Sequence, residues 1–280
     1  MKIKITSDST CDLSTELLEK YNIGILPLAI IKDGKSFRDN VNITPAEIYA
    51  HVAAGGNLCS TTAINVTEYQ EYFSQFAGAY DGVIHVNLSS EFSSSYQNAC
   101  IAADDFQNVR VVDSRNLSTG QGLVVLKACE FAASCNDLDT IVAQLQEFAD
   151  RVEASFLLDR LEYMVKGGRC SSAAALGANL LNLKPCIEVK NGKMGVVKKY
   201  RGNYAKCLAN YVKDRIGNRD DLDRGTLFVT HTPVSDECLN AVKDAVDAHA
   251  DFKDIFWTEA GCTISCHCGP GTLGVLFVRK

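Results

Sequence analysis

The sequence has no basic arm and no run of lysine and arginine, and its formal net charge is -6 over 280 residues. Nucleic-acid binding needs a positive stripe to neutralise phosphates, so that class is disfavoured. The same charge argues against attraction of the whole surface to anionic lipid. No uninterrupted apolar stretch reaches the ~20 residues that cross a bilayer. The opening stretch Met1-Lys2-Ile3-Lys4-Ile5-Thr6-Ser7-Asp8 lacks the apolar core of a secretory leader and reads as a short strand entering a polar turn. A cytoplasmic location is therefore expected. There is no P-loop, and no Gly-x-Gly-x-x-Gly opens a helix after the first strand, which disfavours nucleotide binding by either device. No internal repeat or low-complexity tract is visible.

Cysteine, by contrast, is plentiful at twelve residues. A disulfide framework is the first reading, but the chain is long and several cysteines, such as Cys100, Cys129 and Cys207, fall within apolar helical patterns. Reduced thiols acting as small buried hydrophobes fit better. With 46% hydrophobic and 22% charged residues, the chain can bury a core without covalent staples. Its length suggests two domains.

The first half alternates strand and helix patterns. Strands are expected at Lys2–Thr6, Gly24–Ile31, Val83–Val86 and Val109–Val112. Helices are expected at Ser14–Tyr21, from Thr44-Pro45-Ala46-Glu47, from Thr67, at Ser93–Phe106 and at Leu117–Ala133. This rhythm predicts a parallel sheet covered on both faces. After a helix at Asp137–Val152 the character changes. An extended stretch at Ala154–Leu158 and a short helix at Leu161–Val165 come first. A hairpin turning at Asn191-Gly192 and βαβ elements from Ala205 to Val278 follow, predicting a mixed sheet with helices on one face. The expected division is 1–152, a three-layer α/β/α parallel-sheet domain, and 153–280, a two-layer α/β mixed-sheet domain.

Ligands of open parallel sheets bind beyond the carboxyl ends of the strands. Four successive strand exits carry small polar residues: Thr6–Thr10, Cys59–Thr62, Asn87–Ser95 and Asp113–Asn116. These residues serve either as helix caps or as a shared site for an anionic headgroup. Hydroxyls add no formal charge, which suits a monovalent carboxylate better than a triphosphate. Two arginines stand in glycine contexts, Lys166-Gly167-Gly168-Arg169 and Tyr200-Arg201-Gly202, either as solvated charges or as forks for phosphate or carboxylate. Near the C-terminus, Gly261 to Gly271 holds Cys262, Cys266, His267 and Cys268. The spacing is not a paired CxxC, and a strand there would point His267 away from Cys266 and Cys268, so no metal site is expected. A thiol- or metal-dependent enzyme using Cys262–His267 remains the alternative reading. A histidine beside a glycine-rich loop also suits hydrogen bonding to a ligand headgroup.

Several of these segments together resemble the DegV family of bacterial fatty-acid-binding proteins. Ser7-Asp8-Ser9-Thr10-Cys11-Asp12-Leu13 is similar to its opening signature, and Leu88 to Gln97 to its LSSGLSGTYQ segment, with Glu91 and Ser94 where the family has glycine. Val112-Asp113-Ser114-Arg115 resembles its VDS turn, Leu161 to Arg169 its LxxLxKGGR segment, and Leu183-Lys184-Pro185 follows. Thr61-Thr62-Ala63-Ile64 resembles TSQP without the proline. The resemblance implies two α/β domains with one long-chain fatty acid in a tunnel between them. It implies a carboxylate held by Thr62, Ser93 and His267, with Thr61 and Ser94 beside them. It further implies a carrier without turnover or cofactor of its own, which presents the acid to a separate fatty acid kinase. Arg169 and Arg201 match positions linked to that partner or its phosphate, and a peripheral membrane contact would serve lipid exchange.

Overall fold

The computed structural model describes residues 1–175 and 183–280. Its strands and helices follow in chain order. They are β1 (Ile3–Asp8), α1 (Thr15–Lys20), β2 (Gly24–Leu26), β3 (Ala29–Lys32), β4 (Lys35–Arg38), α2 (Pro45–Ala53), β5 (Ser60–Thr62), α3 (Val66–Ala77), β6 (Gly82–Asn87), α4 (Ser95–Ala103), β7 (Val109–Asp113), α5 (Ser118–Ser134) and α6 (Leu138–Ala149). Then come β8 (Val152–Leu158), α7 (Glu162–Gly167), α8 (Ser171–Ala174), β9 (Leu183–Lys190), β10 (Lys193–Arg201), α9 (Tyr204–Ile216), β11 (Leu222–His231), α10 (Asp236–His249), β12 (Asp254–Glu259), α11 (Cys262–Cys268) and β13 (Thr272–Arg279).

The first sheet has the order β2-β1-β6-β7 and is parallel throughout. Every residue of β6 is buried, as a central strand covered on both faces requires. On one face, Leu17, Leu123, Ile141 and Leu145 of α1, α5 and α6 join Ile5 and Ile84 of the sheet. On the other, Tyr69 and Phe73 of α3 and Ala99 of α4 pack on Val83 and Val109. These are three layers. Several helix starts follow from the local sequence. Thr44 caps α2 in a reciprocal box with Glu47, and Asn65 does the same for α3 with Glu68.

The second sheet has the order β10-β9-β8-β13-β11-β12, antiparallel except for the β11–β12 pair. Its strands alternate as a two-faced sheet must. Val275 and Phe277 of β13 face Leu208, Tyr211 and Val242 of α9 and α10, whereas Leu276 and Val278 join the core that contains α5. The turn between β9 and β10 has Asn191 and Gly192 both at positive φ, as expected for a tight hairpin of this twist.

Three local expectations are corrected. The apolar stretch 24–31 is not one strand. β2 ends before Pro27, which has no N–H for a ladder, and β3 belongs to a separate antiparallel sheet of order β4-β3-β5. The segment holding Thr61 and Thr62 is therefore strand β5 rather than a loop. The stretch 262–268 is a helix, so the strand-based argument about its side chains does not apply.

Candidate functional site

Among the described residues, a cavity of about 310 Å³ is bounded by β5, the turn before α4, the start of α5, the α7 segment, β10 and α11. Its volume is at the lower end of the roughly 300–1,000 Å³ usual for small-molecule sites. Thr61, Thr62, Ser93, Ser94, Arg169 and His267 all line it. Leu88, Phe92, Leu117, Met164, Met194 and Ile264 supply apolar wall. Polar groups from both halves of the sequence thus meet one apolar-walled space.

Each polar group is held by its own local chemistry. Thr61 and Thr62 are fixed by pairing of β5 with Ile30 and Ala29 of β3. The Thr61 hydroxyl lies 2.9 Å from Nε2 of His267. Ser93 accepts from the Ser95 backbone N–H at 3.2 Å, and the two hydroxyls are 2.9 Å apart. Ser95 in turn accepts from the Ile64 N–H at 3.3 Å, which ties the turn before α4 to the residues after β5. Ser94 occupies the N-cap position of α4, but its side chain makes no capping hydrogen bond. The residue is exposed and lines the cavity. Glu91 is 3.4 Å from Lys193 on the surface and does not line the cavity.

His267 sits in the last turn of α11. Burial, and secondarily the charge of Arg169, hold its pKa at about 4, so the ring is neutral near pH 7. Its Nδ1 is buried without a hydrogen-bond partner among the described residues. The ring fits because residue 167 is glycine: a Cβ there would come within 2.5 Å of Nδ1. The next residue, Gly168, ends α7 with φ 70°, a left-handed conformation that glycine adopts without strain. The two glycines before Arg169 thus have separate duties. Arg169 is exposed, donates to the Gly167 carbonyl at 2.7 Å and has no ion-pair partner among the described residues. Arg201 ends β10 on the surface, outside the cavity wall.

The other strand-exit hydroxyls have structural work. Asp8 is fully buried and accepts from the Leu88 N–H at 2.7 Å and from Gln121, Asn87 and Thr10. Ser7 donates to the Val86 carbonyl at 2.8 Å and accepts from Gln121. The Ser114 hydroxyl accepts from the Asn116 N–H. Only two of the four exits therefore contribute to the cavity.

The pattern of residue types gave no warning of the carboxylates that anchor α11. Asp39 accepts from the Cys262 N–H at 2.8 Å, the Thr263 N–H at 3.2 Å, the Thr263 hydroxyl at 2.6 Å and the Ser9 hydroxyl at 2.9 Å. Asp12 accepts from the Gly261 N–H at 2.9 Å and the Ser118 hydroxyl at 2.6 Å. Acceptor oxygens at a helix N-terminus satisfy its free N–H groups. The i, i+4 spacing of Cys262 and Cys266 was the available sign of this helix. Both thiols pack with Ile30, Ile43 and Ile48. Burial pushes the Cys262 and Cys268 thiols up to about 12 and raises Cys266 as well, leaving them protonated and poorly nucleophilic. Among the described residues, no three His, Cys, Asp or Glu side chains are grouped to hold a metal ion.

The model of the DegV family, described as "Uncharacterised protein, DegV family", matches residues 2–280. A DegV domain-containing protein of Caldanaerobacter subterraneus is 33% identical over all of this chain and 99% of its own length. Another from Clostridium acetobutylicum is 31% identical over the same shares. A solved Thermus thermophilus structure, described as fatty acid binding of a DegV family protein, has a TM-score of 0.89 at 26% identity, with both chains fully covered. A Thermotoga maritima structure described as a DegV lipid binding protein has a TM-score of 0.86 at 26% identity, again with full coverage of both. A stearic acid-binding protein from Eubacterium ventriosum has a TM-score of 0.83 at 25% identity, over 99% of this chain and 98% of its own. This chain belongs to the DegV family.

Proposed function

We propose that the protein binds one long-chain fatty acid between two units, 1–152 and 153–280. The carboxylate is held by Thr62, Ser93 and His267, with Thr61 and Ser94 beside them, and the tail runs along the apolar wall. The observation that carries this reading is the convergence of Thr62, Ser93, Ser94 and His267 on a cavity otherwise walled by residues such as Leu88, Phe92 and Met164. The fatty-acid-binding and lipid-binding descriptions of the Thermus and Thermotoga relatives support the ligand class.

The energetics agree. Burying about fifteen methylenes at about 0.8 kcal/mol each gives roughly 12 kcal/mol gross. Association costs several kcal/mol against this, which leaves room for tight binding. Hydrogen bonds to a charged group contribute about 1.5–3 kcal/mol each. Tail burial drives affinity, and the hydroxyls set orientation.

In this reading the protein is a cytoplasmic carrier without turnover or cofactor of its own. It meets the membrane at most peripherally, to exchange lipid, and presents the acid to a separate fatty acid kinase. Arg169 and Arg201 face that partner or its phosphate. The exposure of both arginines, and the position of Arg169 at the cavity, support this division. Organic extraction of purified protein followed by mass spectrometry tests the core of the reading. A stoichiometric acyl ligand is expected; no acyl ligand combined with no uptake of added fatty acid would overturn it.

A further inference from the structure

A second, smaller pocket of about 30 Å³ adjoins the first cavity, and Leu117, Ile264 and Cys268 line both. A water needs roughly 10–15 Å³ of such space, so the pocket has room for only a small group. Hydroxyl residues surround it, yet each hydroxyl is engaged elsewhere. Ser118 donates to Asp12 at 2.6 Å, and Ser155 is 2.9 Å from the Tyr211 hydroxyl. Thr230 meets Thr119 at 2.6 Å and Thr258 at 2.8 Å. Thr232 accepts from the Thr272 N–H at 2.9 Å, and the Thr272 hydroxyl donates to the Cys268 carbonyl at 3.0 Å. A buried water needs two to four polar partners. Here the hydroxyls are spent on one another and on the backbone, and the one imidazole of the lining, His231, has its Nδ1 2.9 Å from the Thr232 carbonyl, so the wall offers mainly carbon, with Phe156 and Leu276 adding more.

The two spaces therefore define a polarity axis. His267, with an unpartnered Nδ1, lines the first cavity but not the second, whose hydroxyls are spent. Ile264 lies one α-helical turn before His267–Cys268 on α11 and stands between the spaces. Gly274 borders the far side. A side chain at 274 would meet the Ser155 carbonyl at 2.7 Å, so that floor is backbone and does not yield easily.

We propose that Ile264, with Leu117 opposite, sets the acyl-chain length: the methyl end of the bound fatty acid passes between them, and the second pocket receives its last carbon. This rests on the fatty-acid reading above and adds a specificity-determining residue to it. Neither residue belongs to the carboxylate grip, so changing them alters length preference without removing the headgroup contacts.

The test is an affinity ladder over saturated fatty acids from about twelve to about twenty carbons, where each fully buried methylene is worth about fourfold. It is measured on the full-length protein, on Ile264→Ala and on Leu117→Phe. Ile264→Ala, which widens the passage and enlarges the space beyond it, is expected to move the optimum one or two carbons longer. Leu117→Phe, which narrows the passage, is expected to move it one or two carbons shorter. If one variant fails to fold, the other decides. Unchanged optima in the folded variants overturn the inference while leaving the fatty-acid reading intact. Failure of the unsubstituted protein to bind any member of the series overturns that reading, and the inference with it.

Discussion

Thr61 and His267 stand 206 positions apart in the chain, yet Oγ1 of one lies 2.9 Å from Nε2 of the other. One side chain comes from a three-residue edge strand and the other from the last turn of a helix near the C-terminus. When Thr61 donates to Nε2, the ring proton sits on Nδ1, the atom left without a partner among the described residues. In that tautomer the pair leaves a buried donor available.

The fit of that ring predicts the effect of a single methyl. Gly167→Ala would place a Cβ 2.5 Å from Nδ1 and displace His267 from Thr61. Gly167 has no positive φ, so the cost is local overpacking, about 1–3 kcal/mol. Fatty-acid affinity should fall with only a modest drop in thermal midpoint. Unaltered affinity measured by titration calorimetry would mean that His267 position does not matter.

Asp39 should be worth more to the fold than any cavity residue. Asp39→Ala strips an acceptor from Cys262 N–H, from the N–H and hydroxyl of Thr263, and from Ser9. Leaving buried donors unsatisfied costs about 1–3 kcal/mol each, so a loss of at least about 2 kcal/mol is expected in urea unfolding. Asp39→Asn keeps one carbonyl oxygen and should recover part of it. Equal stability of the alanine variant and the parent would remove the anchoring role.

Stability should fall as pH rises above about 6.5. Burial, more than any charge, raises Asp12 to about 8, so its contribution is full below the unfolded carboxylate value and is lost as pH rises through 8. Burial also holds His267 at about 4 and His85 at about 3. Their contribution is present above the unfolded histidine value near 6.5 and is lost as pH falls toward 4 and 3. Burial raises Asp8 in the same direction, so below pH 6.5 two carboxyls oppose the two histidines, whereas above it the carboxyls act alone and stability falls. Chemical denaturation across pH 5–9 checks this, and Asp12→Asn should flatten the alkaline limb.

Arg169 and Arg201 should separate delivery from binding. Arg169→Ala and Arg201→Ala are expected to lower the rate at which a fatty acid kinase phosphorylates the bound acid, with lipid affinity within about twofold of the parent, because Arg201 lies outside the cavity and Arg169, at its edge, is exposed. Parallel loss of affinity and rate would place the arginines in the grip itself.

Much of the fold was legible because period and caps agree locally. The box at Thr44 and Glu47, the all-buried β6 and the Asn191-Gly192 turn each carry their structure in a few residues. The division of 24–31 was not legible, since Pro27 sends an apolar stretch from one sheet to another, and apolarity alone does not name its sheet. In the site, hydroxyl-rich exits were visible but not sorted. Ser7 and Ser114 look like Ser93 in sequence, and Ser93 and Ser114 each accept from the N–H two residues on, so only position at the cavity sets Ser93 apart. The apolar wall was hidden for a related reason: Leu117 and Ile264 obey the same periodicity as any core residue.

The most direct measurement of the central claim is the affinity of one saturated long-chain fatty acid for the parent protein, Thr62→Ala and Ser93→Ala under identical conditions. Loss of one hydroxyl from a charged headgroup should weaken binding by about 1–3 kcal/mol in each variant, or roughly 5- to 150-fold. Undiminished affinity in both would contradict the account, because the carboxylate would then rest on neither hydroxyl.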